Sequence, residues 1–126
     1  MMIILQFPGM APHAKDRARF HNQTGRHMVA PKFRLWRNQF VLSANIQTGV
    51  GRIAVITEPC AITVTYHTAT GNMKPDVDNA AGAVMDALQD AGIIKNDSQV
   101  RRLLVEVVKV PRADVGITVT IEVVSA

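Results

Sequence analysis

The segment Lys74-Pro75-Asp76-Val77-Asp78-Asn79 stands directly before the clearest helical pattern in the chain. From Ala80 to Ala91, small and apolar residues recur at the spacing of one helix face, which predicts a helix over this range. We expect Asp78 or Asn79 to be the N-cap of this helix and Gly92 to end it. Because such a helix is about 18 Å long, the chain must double back after Gly92 for the flanking segments to meet.

Three carboxylates flank the predicted helix. Asp76 and Asp78 lie before it, and Asp97 follows it in Asn96-Asp97-Ser98-Gln99. In an extended segment, side chains two residues apart point to the same side, so Asp76 and Asp78 can face one ion. Three carboxylates at one point repel each other unless a cation lies between them, and their oxygens suit Mg²⁺ or Mn²⁺. The alternative is that Asp-x-Asp is an ordinary capped start of a helix.

Apolar segments predict four strands around this region. They are Ile3–Phe7, Cys60–Thr68, Val100–Val110 and Val115–Val124. Pro111-Arg112-Ala113-Asp114 separates the last two, which predicts that they form an antiparallel hairpin. Leu103–Val110 would run beside the strand that ends near Asp76. Ile53–Thr57 is either a short strand or the approach to the next one.

A second helix is predicted over residues 32–47 from the helical spacing of its apolar residues. Phe33 and Trp36 lie on the repeating face, which favours core residues over a platform for stacked bases. Strands and helices in this order predict an α+β domain with a single small mixed sheet and helices packed on it. The exposed edges of so small a sheet would favour a homodimer.

Positive charge is concentrated in the first half of the chain. Residues 1–57 hold eight Lys and Arg against one acidic residue (+7), residues 58–126 hold six against nine (−3), and the sum is +4. Residues 10–30 lack a sustained period and are predicted to be a basic loop, in which Phe20 stacks on a base or anchors the loop. The alternative is a solvated basic surface without a partner. The candidate contacts to DNA phosphates are Lys15, Arg17, Arg19, Arg26, Lys32, Arg34 and Arg37.

Length and cysteine content restrict the class of protein. At 126 residues, the chain is long enough for one domain with a core and too short for two. The single cysteine, Cys60, cannot form an internal disulfide, which favours a reducing, cytoplasmic compartment. Met1–Phe7 is apolar but too short for a signal peptide or a membrane span, so no membrane association is expected.

Several motifs taken together resemble the RusA family of Holliday junction resolvases. They are Lys74-Pro75-Asp76-Val77-Asp78-Asn79, Met85-Asp86-Ala87-Leu88, Ala91-Gly92-Ile93-Ile94 and Asn96-Asp97-Ser98-Gln99-Val100. The resemblance is strong over residues 74–110 and extends weakly to the segment from Phe7-Pro8-Gly9 to Phe20. It implies a small, dimeric, Mg²⁺-dependent endonuclease, bacterial or encoded by a phage or prophage. A single RusA-like domain would span residues 1–126, with the basic loop at 10–30 and the acidic metal site at 76–97.

The resemblance also implies roles for individual residues. The family's catalytic, metal-binding aspartates fall on Asp76, Asp78 and Asp97. A catalytic lysine of the best-known member falls on Gly82, which has no side chain. We expect Lys74 or Lys95, both adjacent in sequence to the acidic residues, to supply the missing positive charge.

The implied activity is the resolution of four-way DNA junctions by paired symmetric nicks, in recombination and repair. A symmetric dimer suits this substrate because a junction has two-fold related strands to cut. Two alternatives stay open. One is a non-catalytic protein that binds branched DNA, in which the change at Gly82 has removed cleavage. The other is a nuclease for other branched or flapped DNA.

Overall fold

Four strands form one mixed sheet in the computed structural model, which describes residues 2–9, 18–21, 26–29, 31–49, 55–72 and 77–124. The strands of these ranges are β1 (Met2–Pro8), β2 (Ala18–His21), β3 (Arg26–Val29), β4 (Cys60–Thr68), β5 (Val100–Lys109) and β6 (Gly116–Val123). The helices are α1 (Pro31–Thr48) and α2 (Val77–Asp90), and two 3₁₀ turns span Asp97–Gln99 and Arg112–Asp114. The sheet has the order β1-β6-β4-β5, and β2 and β3 form a separate pair. The predicted α+β class is confirmed.

The neighbours of β5 differ from the prediction. β5 runs parallel to β4, from Val100 opposite Cys60 to Lys109 opposite Thr68. β6 pairs antiparallel with the other side of β4 and with β1. The predicted hairpin between the last two strands is therefore wrong, because β4 lies between them. The α2 crossover places β5 beside β4, and the chain then passes the end of β4, where the Val110 N–H donates to the Thr68 carbonyl at 2.8 Å.

The two faces of the sheet have different roles. One face, the helix face, packs against α1 and α2 and forms the core. Its fully buried side chains from β4 and β6 include Ile62, Val64, Tyr66, Ile117, Val119 and Ile121. The Phe7 ring of β1 stacks on Phe40 of α1 with ring centroids 3.8 Å apart, and Trp36 packs against the same ring, as expected of a core residue. The opposite face, the open face, carries the intervening residues, which include Thr63, Thr65, Thr118 and Thr120.

The start of α2 differs from the prediction, whereas its end agrees. α2 begins at Val77, so Asp78 lies in its first turn and is not an N-cap in front of it, and the same holds for Asn79. Gly92 ends the helix as predicted, with a φ of +71°. The Gly92 N–H donates to the Gln89 carbonyl, and the next N–H along the chain donates to the Leu88 carbonyl. This pattern is a Schellman motif, which favours glycine at the left-handed position.

Two short strands lie in the basic segment. β2 and β3 pair antiparallel, with Ala18 opposite Val29 and His21 opposite Arg26. The prediction of a loop over residues 10–30 is wrong for these two strands, because four-residue strands without apolar alternation leave no periodic signal. The rest of the segment lies outside the described residues. The helix predicted over residues 32–47 is confirmed by α1. In the described part of Ile53–Thr57, Ile56 forms only an isolated bridge with Ile94.

The two edges of the sheet differ in how their backbone groups are satisfied. On β1, the Gln6 N–H donates to Oε1 of Gln47 at 2.8 Å, and Nε2 of Gln47 donates back to the Gln6 carbonyl at 2.7 Å. Nε2 of Gln47 also donates to Ser43 Oγ at 3.0 Å. The amide of Gln47 therefore occupies the outer edge of β1 as a neighbouring strand would. On β5, the other edge, no described side chain makes such a pair of bonds.

The burial of Tyr66 predicts that the free energy of unfolding falls at alkaline pH. Its hydroxyl is buried without a hydrogen-bond partner among the described residues, and burial raises the pKa of the phenol above its ordinary value of 10.0. Above pH 10, the unfolded chain loses this proton while the folded chain keeps it, so the free energy of unfolding falls as pH rises. We expect Tyr66→Phe to remove this part of the fall and to leave stability at pH 7 unchanged or about 1 kcal/mol higher.

Urea unfolding of both proteins at pH 7 and at about pH 10.5 measures this effect. Burial also raises the pKa of the Cys60 thiol, so some alkaline loss remains in the variant. An identical pH profile in the variant and the unsubstituted protein would contradict the assignment to Tyr66.

Candidate active site

The 3₁₀ turn that follows α2 is held in place by the buried side chain of Gln99. Its Oε1 accepts hydrogen bonds from the backbone N–H groups of Lys95 and Asn96, each at 3.0 Å. Its Nε2 donates to the carbonyl oxygens of Ile56 at 2.8 Å and Glu58 at 2.9 Å. These bonds use both donors and both acceptor positions of the amide. They fix the turn against the segment that leads into β4.

Asp97 projects from this turn at the protein surface. The turn begins with a capping box, in which Oδ1 of Asn96 accepts from the Ser98 N–H at 2.8 Å. Asp97 is exposed and forms no ion pair within the described part of the chain. Lys95 precedes it by two residues, and Arg101 donates from Nη1 to the Ser98 carbonyl at 3.0 Å. The backbone at Asp97 is therefore held in place, and the carboxylate is open to solvent and close in sequence to basic side chains.

A chain of hydrogen bonds joins this turn to the carboxyl end of α2. The Ile93 N–H donates to the Leu88 carbonyl, the Ile56 N–H donates to the Ile93 carbonyl, and Gln99 donates to the Ile56 carbonyl. These bonds hold the turn that carries Asp97 near the carboxyl end of α2. Asp78 lies in the first turn of the same helix, about 15 Å along the axis from Leu88.

The predicted cluster of three aspartates includes residues that the structure does not describe. Asp76 and Lys74 lie outside them, and for Asp78 only the backbone is described. Val77 and Asp78 are helical, so the backbone is not extended at the second aspartate of Asp-x-Asp, as the prediction had assumed. No group of three His, Cys, Asp or Glu that could hold a metal ion occurs within the described part of the chain. That these three aspartates bind one metal ion is therefore a prediction.

The predicted DNA contacts are spread over three elements. Lys15 and Arg17 lie outside the described residues. The backbones of Arg19 and Arg26 belong to β2 and β3, and that of Lys32 to the first turn of α1. The two other predicted contacts, Arg34 and Arg37, lie farther along α1.

Arg34 and Arg37 differ in their surroundings. Arg34 is exposed on α1. Nε of Arg37 lies 3.2 Å from Oδ2 of Asp90, where it links α1 to the last turn of α2. Asp90 is thus part of an ion pair at a helix–helix contact. Arg37 has a structural role besides any contact with DNA.

Gln99 is the residue of this region whose importance the sequence did not reveal. Asn96-x-x-Gln99 has the spacing of a capping box, which would have predicted a turn stabilised by its own side chains. Gly82 is half-buried on α2, four residues after Asp78, so both residues lie on one side of the helix.

Comparison with protein families decides the assignment of the whole chain. The sequence model of the endodeoxyribonuclease RusA family matches residues 9–122. The chain belongs to the RusA family. RusA proteins are endodeoxyribonucleases, and membership implies an activity on branched DNA, the Holliday junction. The chain matches no curated protein. Among the described residues, the RusA domain has no helix that is long and apolar enough to cross a membrane.

Proposed function

We propose that this RusA protein is a Mg²⁺-dependent endodeoxyribonuclease that resolves four-way junctions by paired symmetric nicks, in DNA recombination and repair. The observation that carries the proposal is the family match over residues 9–122. It is supported by Asp97, an exposed carboxylate on a turn that buried hydrogen bonds hold rigid. A homodimer acting in the cytoplasm of a bacterium is part of the proposal.

The donor set suits a hard divalent cation. Asp76, Asp78 and Asp97 would hold Mg²⁺, or Mn²⁺, through carboxylate oxygens. When bound, the cation supplies positive charge to the scissile phosphate and favours ionised water as the nucleophile. The first turn of α2 stabilises the ionised form of Asp78, since the positive end of the helix dipole lies there. The backbone that carries Asp97 needs no rearrangement for binding, because Gln99 fixes its turn before DNA arrives.

Basic side chains would bind the DNA backbone on either side of the cut. The candidates on β2, β3 and α1 include Arg19, Arg26, Lys32 and Arg34, and Arg37 would act while paired with Asp90. Lys15 and Arg17 complete the predicted set. Such contacts position the duplex arms without reading their sequence.

We expect Lys95 or Lys74 to supply the charge that Gly82 lacks. Lys95→Ala, or Lys74→Ala, should then lower the nicking rate on the order of a hundredfold while junction affinity changes little, because the lysine would act on charge that develops during cleavage. Single-turnover nicking and a binding titration measure the two quantities. Lys109→Ala, an exposed lysine at the far end of β5, is the matched control. Equal losses of rate and affinity, or no loss, would reject this role.

A labelled synthetic four-way junction tests the function itself. Paired symmetric nicks that need Mg²⁺, and that are absent on a linear duplex, are the expected result. A panel with forks and flaps separates a junction resolvase from a nuclease for other branched DNA.

The lack of a side chain at Gly82 favours a second candidate function, which is the binding of branched DNA without cleavage. Tight binding of the junction without nicks, with or without the metal, would establish that candidate in place of the nuclease. Failure to bind any DNA would contradict both.

A further inference from the structure

Arg101 is an exposed arginine at the start of β5, four residues after Asp97. Its Nη1 donates to the Ser98 carbonyl at 3.0 Å, which attaches the guanidinium to the turn that carries Asp97. The buried amide of Gln99 holds the same turn in place. The position of this positive charge is therefore tied to the backbone at Asp97.

A bulge in β5 takes Arg101 out of the regular alternation of the strand. Val100 lies opposite Cys60 and Arg102 lies opposite Ala61, so Arg101 is the extra residue between two adjacent positions of β4. A bulge re-aims the side chain that it carries and is common beside active sites. Arg101 therefore lies where β5 departs from regular pairing, next to the Asp97 turn.

Most of the Arg101 guanidinium is open to a ligand. Among the described residues, no carboxylate forms an ion pair with Arg101, and the bond to Ser98 uses only Nη1. Nε and Nη2, which make no bond with a described residue, form the planar fork that fits two oxygens of a phosphate. Because the bond to the Ser98 carbonyl already restricts the side chain, less conformational entropy is lost when a phosphate binds.

The surroundings of Arg101 are positively charged within an otherwise acidic half of the chain. Residues 95–102 hold Lys95, Arg101 and Arg102 against Asp97, a net charge of +2 (three minus one). Residues 58–126 together carry −3 (six minus nine). A local excess of positive charge attracts anions, and the phosphodiester on which an endodeoxyribonuclease acts is an anion.

We propose that Arg101 binds the scissile phosphate beside Asp97 and positions the bond that is cut. Nε and Nη2 would donate to phosphate oxygens while Nη1 keeps its bond with the Ser98 carbonyl. The guanidinium would offset the negative charge of Asp97 where the negative phosphate must approach. The contact rests on the proposed function and would add β5 to the elements that bind DNA.

The role of Arg101 differs from the one expected of Lys95 or Lys74. A lysine that acts on charge developing during cleavage changes the nicking rate and leaves the affinity almost unchanged. A phosphate contact changes the affinity and its dependence on salt, because binding of the phosphate releases counterions. The two roles can therefore be measured separately.

Arg101→Gln tests the contact by a binding titration without metal. Glutamine keeps an N–H donor group at the end of the side chain and removes the charge. We expect the dissociation constant of a labelled four-way junction to rise about tenfold, and the slope of log affinity against log salt concentration to become shallower by about one. Arg101→Lys keeps the charge without the fork, so it should keep the slope and recover part of the affinity.

Arg112→Gln is the matched control. Arg112 is an exposed arginine in the other 3₁₀ turn, beyond the end of β5 at which Lys109 lies opposite Thr68. Its loss removes the same charge far from Asp97, so the affinity should change by less than about twofold. Equal effects of the two variants, or no effect of Arg101→Gln, would overturn the contact. If Arg101→Gln unfolds at a lower urea concentration than the unsubstituted protein, Arg101→Lys decides, because a shallower slope in that variant would overturn the contact.

A junction with an uncharged methylphosphonate at the mapped cut position tests which phosphate Arg101 binds. Arg101→Gln should weaken binding of this junction by less than about twofold, because the partner of the charge is already absent. A loss of about tenfold on both junctions would overturn the assignment to the scissile phosphate. If the unsubstituted protein binds the junction without nicking it, the proposed function fails, and the salt slope still decides whether Arg101 contacts a phosphate. Failure to bind DNA would overturn both.

Discussion

Asp97→Asn is expected to lower the rate of junction nicking on the order of a hundredfold or more. The substitution keeps the shape of the side chain and removes the negative charge that would hold Mg²⁺ at the scissile phosphate. Junction affinity measured without metal should be unchanged or higher, because a negative charge near the DNA backbone is lost. Single-turnover nicking at saturating protein measures the effect.

Stability provides the control for Asp97→Asn. The side chain is exposed and forms no ion pair among the described residues, so the free energy of unfolding should change by less than about 0.5 kcal/mol. Asp114→Asn, an exposed aspartate in the other 3₁₀ turn, should keep full activity. Nicking by Asp97→Asn at the rate of the unsubstituted protein would remove Asp97 from the site.

Gln99→Leu is expected to lower the free energy of unfolding by about 3 kcal/mol. Leucine has a similar volume but leaves two carbonyls and two N–H groups without the partners that Gln99 gives them. An unpaired, partly buried polar group costs about 1–3 kcal/mol. The total for the four groups is smaller than four such costs, because water can reach some of them. Urea unfolding monitored by circular dichroism measures the loss.

The matched control for Gln99 is Gln89→Leu. Gln89 is half-buried on α2, and its side chain makes one long bond, from Nε2 to the Met85 carbonyl at 3.4 Å. Its replacement should change stability by less than about 1 kcal/mol. If both variants lose the same free energy, the Gln99 bonds do not fix the turn. Since those bonds place Asp97, Gln99→Leu should also slow nicking at temperatures where the protein remains folded.

Periodic patterns predicted most of the fold correctly. β4 alternates apolar and polar residues, α1 and α2 repeat at helical spacing, and each element was found within a few residues of its predicted limits. The partners of β5 were not predictable in this way. A four-residue connection allows a hairpin, and only the placement of β4 between β5 and β6 excludes one. Pairing between strands depends on the packing of α2 across the sheet, which no local pattern encodes.

The candidate site was predicted less completely than the fold. The family was identified from short motifs and is shown by the match over residues 9–122, while the meeting of Asp76, Asp78 and Asp97 remains a prediction. The sequence also suggested an extended Asp-x-Asp, but Asp78 is helical because α2 begins at Val77. Gln99 went unrecognised because its four partners lie in two segments about forty residues apart, a separation that turn chemistry alone does not reveal.

The Gln47 amide covers part of the outer edge of β1. A sheet with two open edges can add copies at both sides and grow into a filament, as heterologous contacts do. In this chain, the amide already satisfies the Gln6 backbone groups on one side. Another strand could pair with β1 at this position only after both bonds are broken, so the amide protects this edge of the sheet against aggregation.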